Sequence, residues 1–423
     1  MNSSRNRIPG PLRARVLVLG RADNFAAEVR RVHADAADAK ELAAQTQLRV
    51  VRLDGLAGEA AKTLAQEMRA AGGHVLASRQ AISATGATCC LLVGTLAQFD
   101  AVCARLGGRG GGLAPAAAEI QRALRAFEAP RVTDLRCGEL TLRVGERTLL
   151  MGVINATPDS FSGDGLAGDV GAMVARGEEM TADGADILDI GGESTRPGAQ
   201  PMDVATEMAR VLPVIERLRA RVNIAISIDT YKAEVARAAL DAGAAVINDI
   251  SGLRMDAGMA PLAAARGAPL IVMHMLGAPR TMQDNPQYDD LIGEIAAYLR
   301  DSVDMAERAG VPRDQVAIDP GFGFGKTPQH NLEIVRRLRE LRSLGQPVLL
   351  GPSRKSTIGK VLDLPPEERL EGTLAVLALA IANGADMVRV HDVRAAARAA
   401  RMTDAVVRGW AGTIPFQGNP PAR

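Results

Sequence analysis

The chain has 423 residues, a length that suits one large domain together with a smaller one. Apolar residues make up 47% of the chain and charged residues 23%, which is the balance of an ordinary globular protein. The 50 lysines and arginines against 49 aspartates and glutamates leave a net charge of +1, so no strong field is available to hold nucleic acid or an anionic membrane surface.

The start of the chain predicts a disordered tail over residues 1–14, which are polar and contain Pro and Gly. Its apolar run is too short for a signal peptide, and the longest apolar stretch, Leu374–Ala382, is far below the roughly 20 residues of a membrane span. The cysteines show no C-x-x-C spacing, so we expect reduced thiols in a cytoplasmic protein rather than a zinc site, at Cys89, Cys90, Cys103 and Cys137.

Residues 15–128 predict a smaller N-terminal α/β domain of unassigned role. VLVLG (16–20) and TCCLLVG (88–94) are typical of strands. AAKTLAQEMRAAGG (60–73) predicts a helix closed by its glycines, and a further helix is expected to end at Leu106. RLGGRGGG (105–112) does not open a helix directly after a strand, so we interpret it as a linker and not as a phosphate loop.

After Pro130 the pattern changes to repeated apolar runs that alternate with helical segments. ELTLRVGERTLLMGVI (139–154) predicts a hairpin that leads into a buried strand. The runs are LLMGVI (149–154), DILDIG (186–191), IAISID (224–229), AAVIND (244–249), APLIVMH (268–274), VAIDPG (316–321), PVLLG (347–351) and ADMVRVH (385–391). Eight such units over about 260 residues are the size of an α/β (β/α)₈ TIM barrel, expected here over 135–408 with a C-terminal tail over 409–423. A doubly wound sheet is the alternative, because closure cannot be read from one sequence.

Nearly every predicted strand ends in polar residues, where the chemistry of a TIM barrel is found. A single buried Asp or His is more often structural than catalytic. Polar residues at all eight strand ends, left unpaired, would cost several kcal/mol, so a polar ligand that binds among them explains the pattern more economically. The tips include Asn155, Asp229, Asn248, Asp249, Met273, His274, Asp319, Gly351, Arg389 and His391.

The chemistry of this set suggests a flat heterocycle and a phosphate. The uncompensated carboxylates Asp229 and Asp319, with nearby amides, suit an amidine-like donor edge such as that of a pterin. The cations suit a phosphate or pyrophosphate, which Arg can grip with two parallel bonds, and they are Arg196, Lys355 and Arg389, with His391.

One motif resembles the end of a Walker A loop, GKT at 325–327. That loop needs Gly five residues before Gly325, where this chain has Pro320, so we exclude it. The GFGFG run is interpreted instead as backbone that approaches a ligand closely, with Phe322 or Phe324 as a wall.

The blocks NATPDSFSGDG, DIGGESTRPG, SIDTYK, VINDISG, IVMHM, DPGFGFGKT, GPSRKSTIG and RVHDV resemble, in order, the signature blocks of the dihydropteroate synthases. The resemblance covers about residues 140–408. It implies a Mg²⁺-dependent transferase of folate biosynthesis that condenses 6-hydroxymethyl-7,8-dihydropterin pyrophosphate with p-aminobenzoate, releases pyrophosphate, acts as a homodimer and is a target of sulfonamides.

The resemblance also implies roles for single residues. Asn155 matches the ligand of Mg²⁺ and of the pyrophosphate. The pterin positions are Asp229, Asn248, Asp319 and Lys355, with Met273 and Gly351 beside them. The pyrophosphate positions are Arg196, Arg389 and His391, and the p-aminobenzoate positions are Phe161, Thr195, Pro197, Phe324 and Ser356. The catalytic set is Lys355, Asp229, Asp319, Arg389 and His391.

Two alternatives remain at this point. A pterin-binding methyltransferase would share the barrel and the Asp and Asn residues that bind the pterin. It holds no pyrophosphate, however, so ESTRP, SRKS and RVHDV would be unexplained. A catalytically silent paralogue could act through its N-terminal domain, which matches no pterin-pathway kinase or aldolase motif. Thr357, where a bulkier apolar residue usually follows SRKS, is a small departure from the family pattern.

Overall fold

The computed structural model describes residues 44–77, 87–129, 132–157, 169–194 and 202–410. The predicted strand VLVLG and both predicted tails lie outside these residues, except for Gly409 and Trp410. The chain divides into two compact units, Met1–Leu124 and Arg125–Arg423. None of the described helices is both long enough and apolar enough to cross a membrane.

The described part of the N-terminal unit is a three-stranded antiparallel sheet with helices. The strands are β1 (Leu48–Ala57), β2 (His74–Ala77) and β3 (Ala87–Thr95), in the order β1-β3-β2. The helices are α1 (Gly58–Ala70), α2 (Leu96–Leu106) and α3 (Leu113–Glu128), which runs past the boundary of the unit. Helix α2 begins at a capping box between Thr95 and Gln98, and it ends at Leu106 as predicted.

A β-hairpin precedes the barrel, but it is not the hairpin that the sequence predicted. Strand β5 (Leu140–Val144) pairs back with β4 (Thr133–Cys137) and not with the residues after Gly145. The tight turn between the two strands contains Gly138 at φ 64°, which favours glycine. The inner residues of the hairpin pack against the amino-terminal halves of the barrel strands and close that end of the barrel, with Leu135, Cys137 and Val144 in the cluster.

Eight parallel strands form the barrel in the order β11-β10-β9-β8-β7-β6-β13-β12. They are β6 (Leu149–Asn155), β7 (Ile187–Gly191), β8 (Ala225–Asp229), β9 (Val246–Asp249), β10 (Leu270–Met273), β11 (Val316–Asp319), β12 (Leu349–Leu350) and β13 (Met387–Val390). A parallel bridge between Ile318 and Val348 joins the two ends of this order. The sheet is therefore closed, which confirms the TIM barrel and excludes the doubly wound sheet.

Nine helices of the described chain follow the hairpin, from α4 to α12. They are α4 (Val170–Ala182), α5 (Val204–Arg219), α6 (Ala233–Asp241), α7 (Met259–Arg266), α8 (Leu291–Arg308), α9 (Pro328–Arg337), α10 (Ser356–Leu362), α11 (Leu370–Ala382) and α12 (Val393–Arg408). Their apolar faces and the outward side chains of the strands form one large core. Because the strands are covered on the outside and filled within, their sequences are continuous apolar runs.

Candidate active site

The carboxyl ends of the barrel strands bring the predicted polar side chains to one mouth. Asp229 at the end of β8 lies beside Asn248 of β9 and beside Gly191 of β7. Gly191 in turn lies beside Asn155 at the end of β6. Since parallel strands all end at the same side of the sheet, these residues face one opening.

Arg389 of β13 joins the carboxylates at the bottom of this mouth. Its Nε donates to Asp189 Oδ2 at 2.6 Å, and its Nη2 donates to Asp229 Oδ2 at 2.8 Å. Asn248 Nδ2 also donates to Asp189 Oδ2, at 3.0 Å. We call these four residues the acidic floor. The expectation that Asp229 is uncompensated is therefore wrong, because the closed barrel brings Arg389 to it.

Two oxygens of the acidic floor have no hydrogen-bond partner among the described residues. They are Asp189 Oδ1 and Asp229 Oδ1, and both are buried. A buried acceptor without a donor costs about 1–3 kcal/mol. The floor is thus arranged to accept hydrogen bonds from a ligand that carries N–H groups.

Burial changes the proton affinities in the floor. It raises the pKa of Asp229 to about 7, although Arg389 acts to lower it. Burial opposes the charge of Arg389, but Asp189 and Asp229 together raise the pKa of its guanidinium. The ion pairs of Arg389 therefore hold negative charge where burial alone would remove it.

Lys355 and Asp319 form the second polar group of the mouth. Lys355 Nζ donates to the carbonyl oxygen of Phe322 and lies 4.7 Å from the centre of the Phe324 ring. Burial lowers the pKa of Lys355 to about 8, against the attraction of Asp319. Asp319 Oδ1 accepts from the backbone N–H of Gly321 at 2.7 Å, and burial raises its pKa.

Gly351 lies between the acidic floor and Lys355. A Cβ atom at this position would be 3.5 Å from Arg389 Cβ and 3.9 Å from Lys355 Nζ. A side chain longer than a methyl group would extend into the space beside both cations. The mouth therefore needs a very small residue here.

His391 is not the cation that the sequence suggested. Its Nδ1 lies 2.9 Å from Ser353 Oγ, and its backbone N–H donates to the same hydroxyl. Burial lowers the pKa of His391 to about 3, and the neighbouring Arg389 and Arg354 lower it further. The ring is neutral near pH 7, so it can offer a hydrogen bond to an anion but not a positive charge.

Two of the polar residues at strand ends form their hydrogen bonds within the protein. Asp249 Oδ1 accepts from the backbone of Ser251 at 2.7 Å, and Oδ2 accepts from Leu253 at 2.9 Å. His274 Nδ1 lies 2.9 Å from Lys326 Nζ. Both residues hold loops beside the mouth, which is the structural role that a single buried polar residue usually has.

An apolar cluster lies beside the polar groups. It consists of Ile250, Met273, Met275 and Met282, with Tyr231 and Phe324 packed against it. Phe322, by contrast, is fully buried in the main core. Of the two phenylalanines proposed as a wall, Phe324 is the one that this cluster supports.

Two groups of functional interest are not evident from the sequence. Asp189 lies in the middle of β7 rather than at its end, so it is not among the polar strand ends. Lys232 Nζ contacts Glu193 Oε2 at 2.6 Å and also the carboxylate of Glu207 and the carbonyl of Met202. No local pattern reveals that cluster, because its members come from three segments.

The remaining predicted residues are placed as follows. Asn155 is half-buried at the end of β6, and Ser356 is the exposed first residue of α10. Four lie outside the described residues, namely Phe161, Thr195, Arg196 and Pro197. Within the described ranges, no group of three or more His, Cys, Asp or Glu side chains could hold a metal ion.

Comparison with known proteins places this site in a family. Residues 151–391 match the family described as pterin binding enzyme. A dihydropteroate synthase from Synechocystis is 48% identical over 275 residues, which are 65% of this chain and 95% of that protein. A Yersinia pestis dihydropteroate synthase solved with a sulfonamide drug complex is 40% identical, with a TM-score of 0.63 over 64% of this chain and 98% of that one. A Xanthomonas albilineans dihydropteroate synthase solved with 4-aminobenzoic acid is 44% identical, with a TM-score of 0.61 over 65% of this chain and 98% of that one.

Proposed function

The chain belongs to the dihydropteroate synthases among the pterin-binding enzymes, and we propose that the acidic floor, Lys355 and the residues around them carry out the reaction of that family. The protein is a transferase of folate biosynthesis. It condenses 6-hydroxymethyl-7,8-dihydropterin pyrophosphate with p-aminobenzoate to give 7,8-dihydropteroate and pyrophosphate. A methyltransferase is therefore excluded.

The observation that carries the assignment of residues is the acidic floor with its two unpaired oxygens. The pyrimidinone edge of a pterin presents neighbouring N–H donors, and buried carboxylates without donors are the groups that such an edge satisfies. We assign Asp229, Asn248 and Asp319 to the pterin ring, and Lys355 to its acceptor atoms. Asp189, which the sequence did not indicate, joins this set because it orients Asn248 and Arg389.

The apolar cluster gives the flat ring a surface to pack on. Met273 is buried, and its thioether is polarisable and tolerant of shape. Gly351 leaves space beside Lys355, because it has no side chain. We propose that the ring lies between these residues, with its substituted methylene directed toward the rim.

The rim is assigned to the pyrophosphate. We propose that Arg196 and the neutral ring of His391 donate to its oxygens, that Arg389 reaches it from the acidic floor, and that Asn155 holds Mg²⁺. One amide oxygen fits this ion, because Mg²⁺ at phosphate sites uses one or two protein ligands and takes the rest from phosphates and water. When bound, Mg²⁺ supplies positive charge to the departing pyrophosphate.

Departure of pyrophosphate with the C–O electron pair leaves positive charge on the pterin methylene. The ionised carboxylates of the floor stabilise that charge because they are fixed before the reaction begins. The aniline nitrogen of p-aminobenzoate then forms the new C–N bond, and its proton passes to water. For p-aminobenzoate we propose Phe324 as one wall and Ser356 as a hydroxyl donor, with Phe161, Thr195 and Pro197 as further positions.

We also propose a homodimer in the cytoplasm. Helix α11 exposes a stripe of apolar residues at helical spacing, Ala375, Leu379 and Ala382, and 57% of Leu379 is accessible. An apolar stripe of this kind suits a second copy of the chain. The four cysteines are free thiols, as expected in a reducing compartment. Sedimentation of the purified protein at micromolar concentration tests the dimer.

For the N-terminal unit we propose an accessory role in stability or assembly, because it lies outside residues 151–391, which match the pterin-binding family. Its domain boundary is proposed near residue 128, with the barrel over 135–408. Truncation of residues 1–128 tests this role.

The decisive experiment is a two-substrate assay with Mg²⁺. The purified protein should form dihydropteroate and release one pyrophosphate for each product molecule. Absence of product together with normal binding of the pterin pyrophosphate would mean a catalytically silent paralogue. Absence of both would refute the assigned pocket.

A further inference from the structure

The loop between β11 and α9 is held by side chains at four consecutive carbonyl groups. We call residues Gly321–Gly325 the glycine loop. The carbonyl oxygens accept, in chain order, from Lys355 Nζ at Phe322, from Gln283 Nε2 at Gly323 (2.6 Å), from Lys326 Nζ at Phe324 (2.9 Å) and from the Tyr288 hydroxyl at Gly325 (2.8 Å). So many side-chain donors on one short loop indicate that the position of its backbone matters.

The same loop is confined sterically. Gly321 and Gly325 have φ values of 71° and 63°, where side chains are disfavoured. A Cβ atom at Gly321 would be 1.9 Å from the carbonyl oxygen of His274, and one at Gly325 would be 2.7 Å from Leu276 Cβ. The backbone therefore has very little freedom of path at both ends of the loop.

Two further hydrogen bonds connect the glycine loop to the segment after Lys355. The N–H of Gly323 donates to Asn331 Oδ1 at 2.8 Å, and Asn331 Nδ2 donates to Thr357 Oγ1 at 2.9 Å. Both side chains are buried. Thr357, which departs from the usual apolar residue after SRKS, thus adds a hydrogen bond and does not loosen the packing.

Lys326 is the one donor of this set that is buried, has no contact with the acidic floor and has no role in the mechanism above. Its side chain is 3% exposed. Three acceptors surround its Nζ, namely Phe324 O and His274 Nδ1 at 2.9 Å and His274 O at 3.5 Å. An ammonium group has three N–H bonds, so this geometry matches a protonated lysine with each donor directed at an acceptor.

The surroundings of Lys326 act on this charge in opposite directions. Burial lowers the pKa of Lys326 well below its usual range and the nearby Lys355 lowers it further, whereas the carboxylate of Asp319 acts to raise it. Burial also lowers the pKa of His274 to about 2, so its ring is neutral and Nδ1 can accept. A buried lysine is costly, and its retention calls for a purpose beyond packing.

We propose that Lys326 is a positioning residue for Lys355. Its hydrogen bonds hold the carbonyl group of Phe324 close to His274. This fixes the position of the Phe322 carbonyl group, two residues earlier, which accepts a hydrogen bond from the ammonium group of Lys355. The inference rests on the proposed function in one respect, the assignment of Lys355 to the pterin.

Lys326→Met tests the inference, since it keeps the apolar stem and removes the donors. Lys360→Met is the matched control, because Lys360 lies on α10 near Lys355 but is exposed. In Lys326→Met we expect the KM for the pterin pyrophosphate to rise by about ten- to a hundredfold, as displacements near 1 Å in active sites do. The KM for p-aminobenzoate should rise by a smaller factor, because Phe324 is only one of the positions proposed for that substrate. General destabilisation would instead raise both KM values by the same factor.

A pterin KM within twofold of wild type, or an equal rise for both substrates, overturns the inference. If Lys326→Met does not fold, Tyr288→Phe removes one bond of the same loop without touching a buried charge. It should raise the pterin KM in the same direction by a smaller factor, and an unchanged value overturns the proposal.

A second readout does not depend on the reaction. The rate at which an amine-reactive reagent labels Lys355, followed by mass spectrometry, should differ between wild type and Lys326→Met but not between wild type and Lys360→Met. If the wild-type protein makes no dihydropteroate, the proposed function fails, and the comparison of labelling rates is then the test of the positioning role. Equal labelling rates would then contradict the positioning role, and different rates support it.

Discussion

Arg389 offers the sharpest test of the acidic floor. Arg389→Met leaves Asp189, which is fully buried, and Asp229, whose side chain is 13% exposed, without the guanidinium that bridges them. Removal of one partner from a buried ion pair costs about 3–5 kcal/mol. Arg389→Lys keeps the charge but lacks the planar fork, so it cannot reach both carboxylates in the same way, and about half of that loss is expected.

The loss of folding stability in Arg389→Met should depend on pH. The folded pKa of Asp229, about 7, lies above the value of about 4 for an unfolded Asp. A carboxyl group with a raised folded pKa contributes stability below pH 4 and loses it as the pH rises through 7. Because Arg389 acts to lower this pKa, its removal raises the pKa further, and the destabilisation of Arg389→Met should be larger at pH 8 than at pH 5.

Urea unfolding followed by far-UV circular dichroism measures this difference, with the transition of the barrel analysed separately from that of the N-terminal unit. Steady-state kinetics at pH 8 should give, in parallel, a rise of at least tenfold in the KM for the pterin pyrophosphate. The reasoning is refuted if Arg389→Met is as stable as wild type at pH 8. It is also refuted if the loss is the same at both pH values, since the carboxylates would then carry no titrating charge.

Three further changes test separate parts of the structure. Lys355→Ala should lower turnover at least about tenfold, because it removes a charged contact worth about 1.4 kcal/mol or more, and a wild-type rate in the two-substrate assay would contradict its assignment. Gly321→Ala should lower the midpoint of thermal unfolding more than Gly267→Ala, since both share a positive φ near 60–70° but only the first meets another atom, His274 O at 1.9 Å. Truncation of residues 1–128 should leave the specific activity of the folded barrel unchanged; its loss would show that the N-terminal unit takes part in catalysis.

The order of strands and the polar strand ends could be predicted because both depend on short-range patterns. Asp229 and Asn248 follow apolar runs, and the carboxyl ends of parallel strands meet at one side of any such sheet. The register of the hairpin could not be predicted, because ELTLRV can pair with residues on either side. In the structure it pairs with the preceding strand, across the turn at Gly138.

Which side chains contact one another within the site depends on the closure of the barrel, and no local sequence pattern encodes that closure. Arg389 and Asp189 are 200 positions apart, and they meet because β13 pairs with β6, which pairs with β7. The charge of His391 was likewise misjudged, since residue type gives the pKa in water and not the pKa after burial beside Arg389.

The charges of the mouth explain why its residues are arranged for a reaction and not for stability. Asp189, Asp229 and Asp319 face Arg389 and Lys355, so one negative charge is in excess when all five groups are ionised, and two carboxylate oxygens remain without donors. Apolar residues of similar volume would serve the fold at least as well. Negative charge that is held in place before the substrate arrives is an advantage only if positive charge develops nearby. Loss of pyrophosphate from the pterin methylene creates such a charge, so the excess that weakens the empty protein lowers the barrier of the reaction.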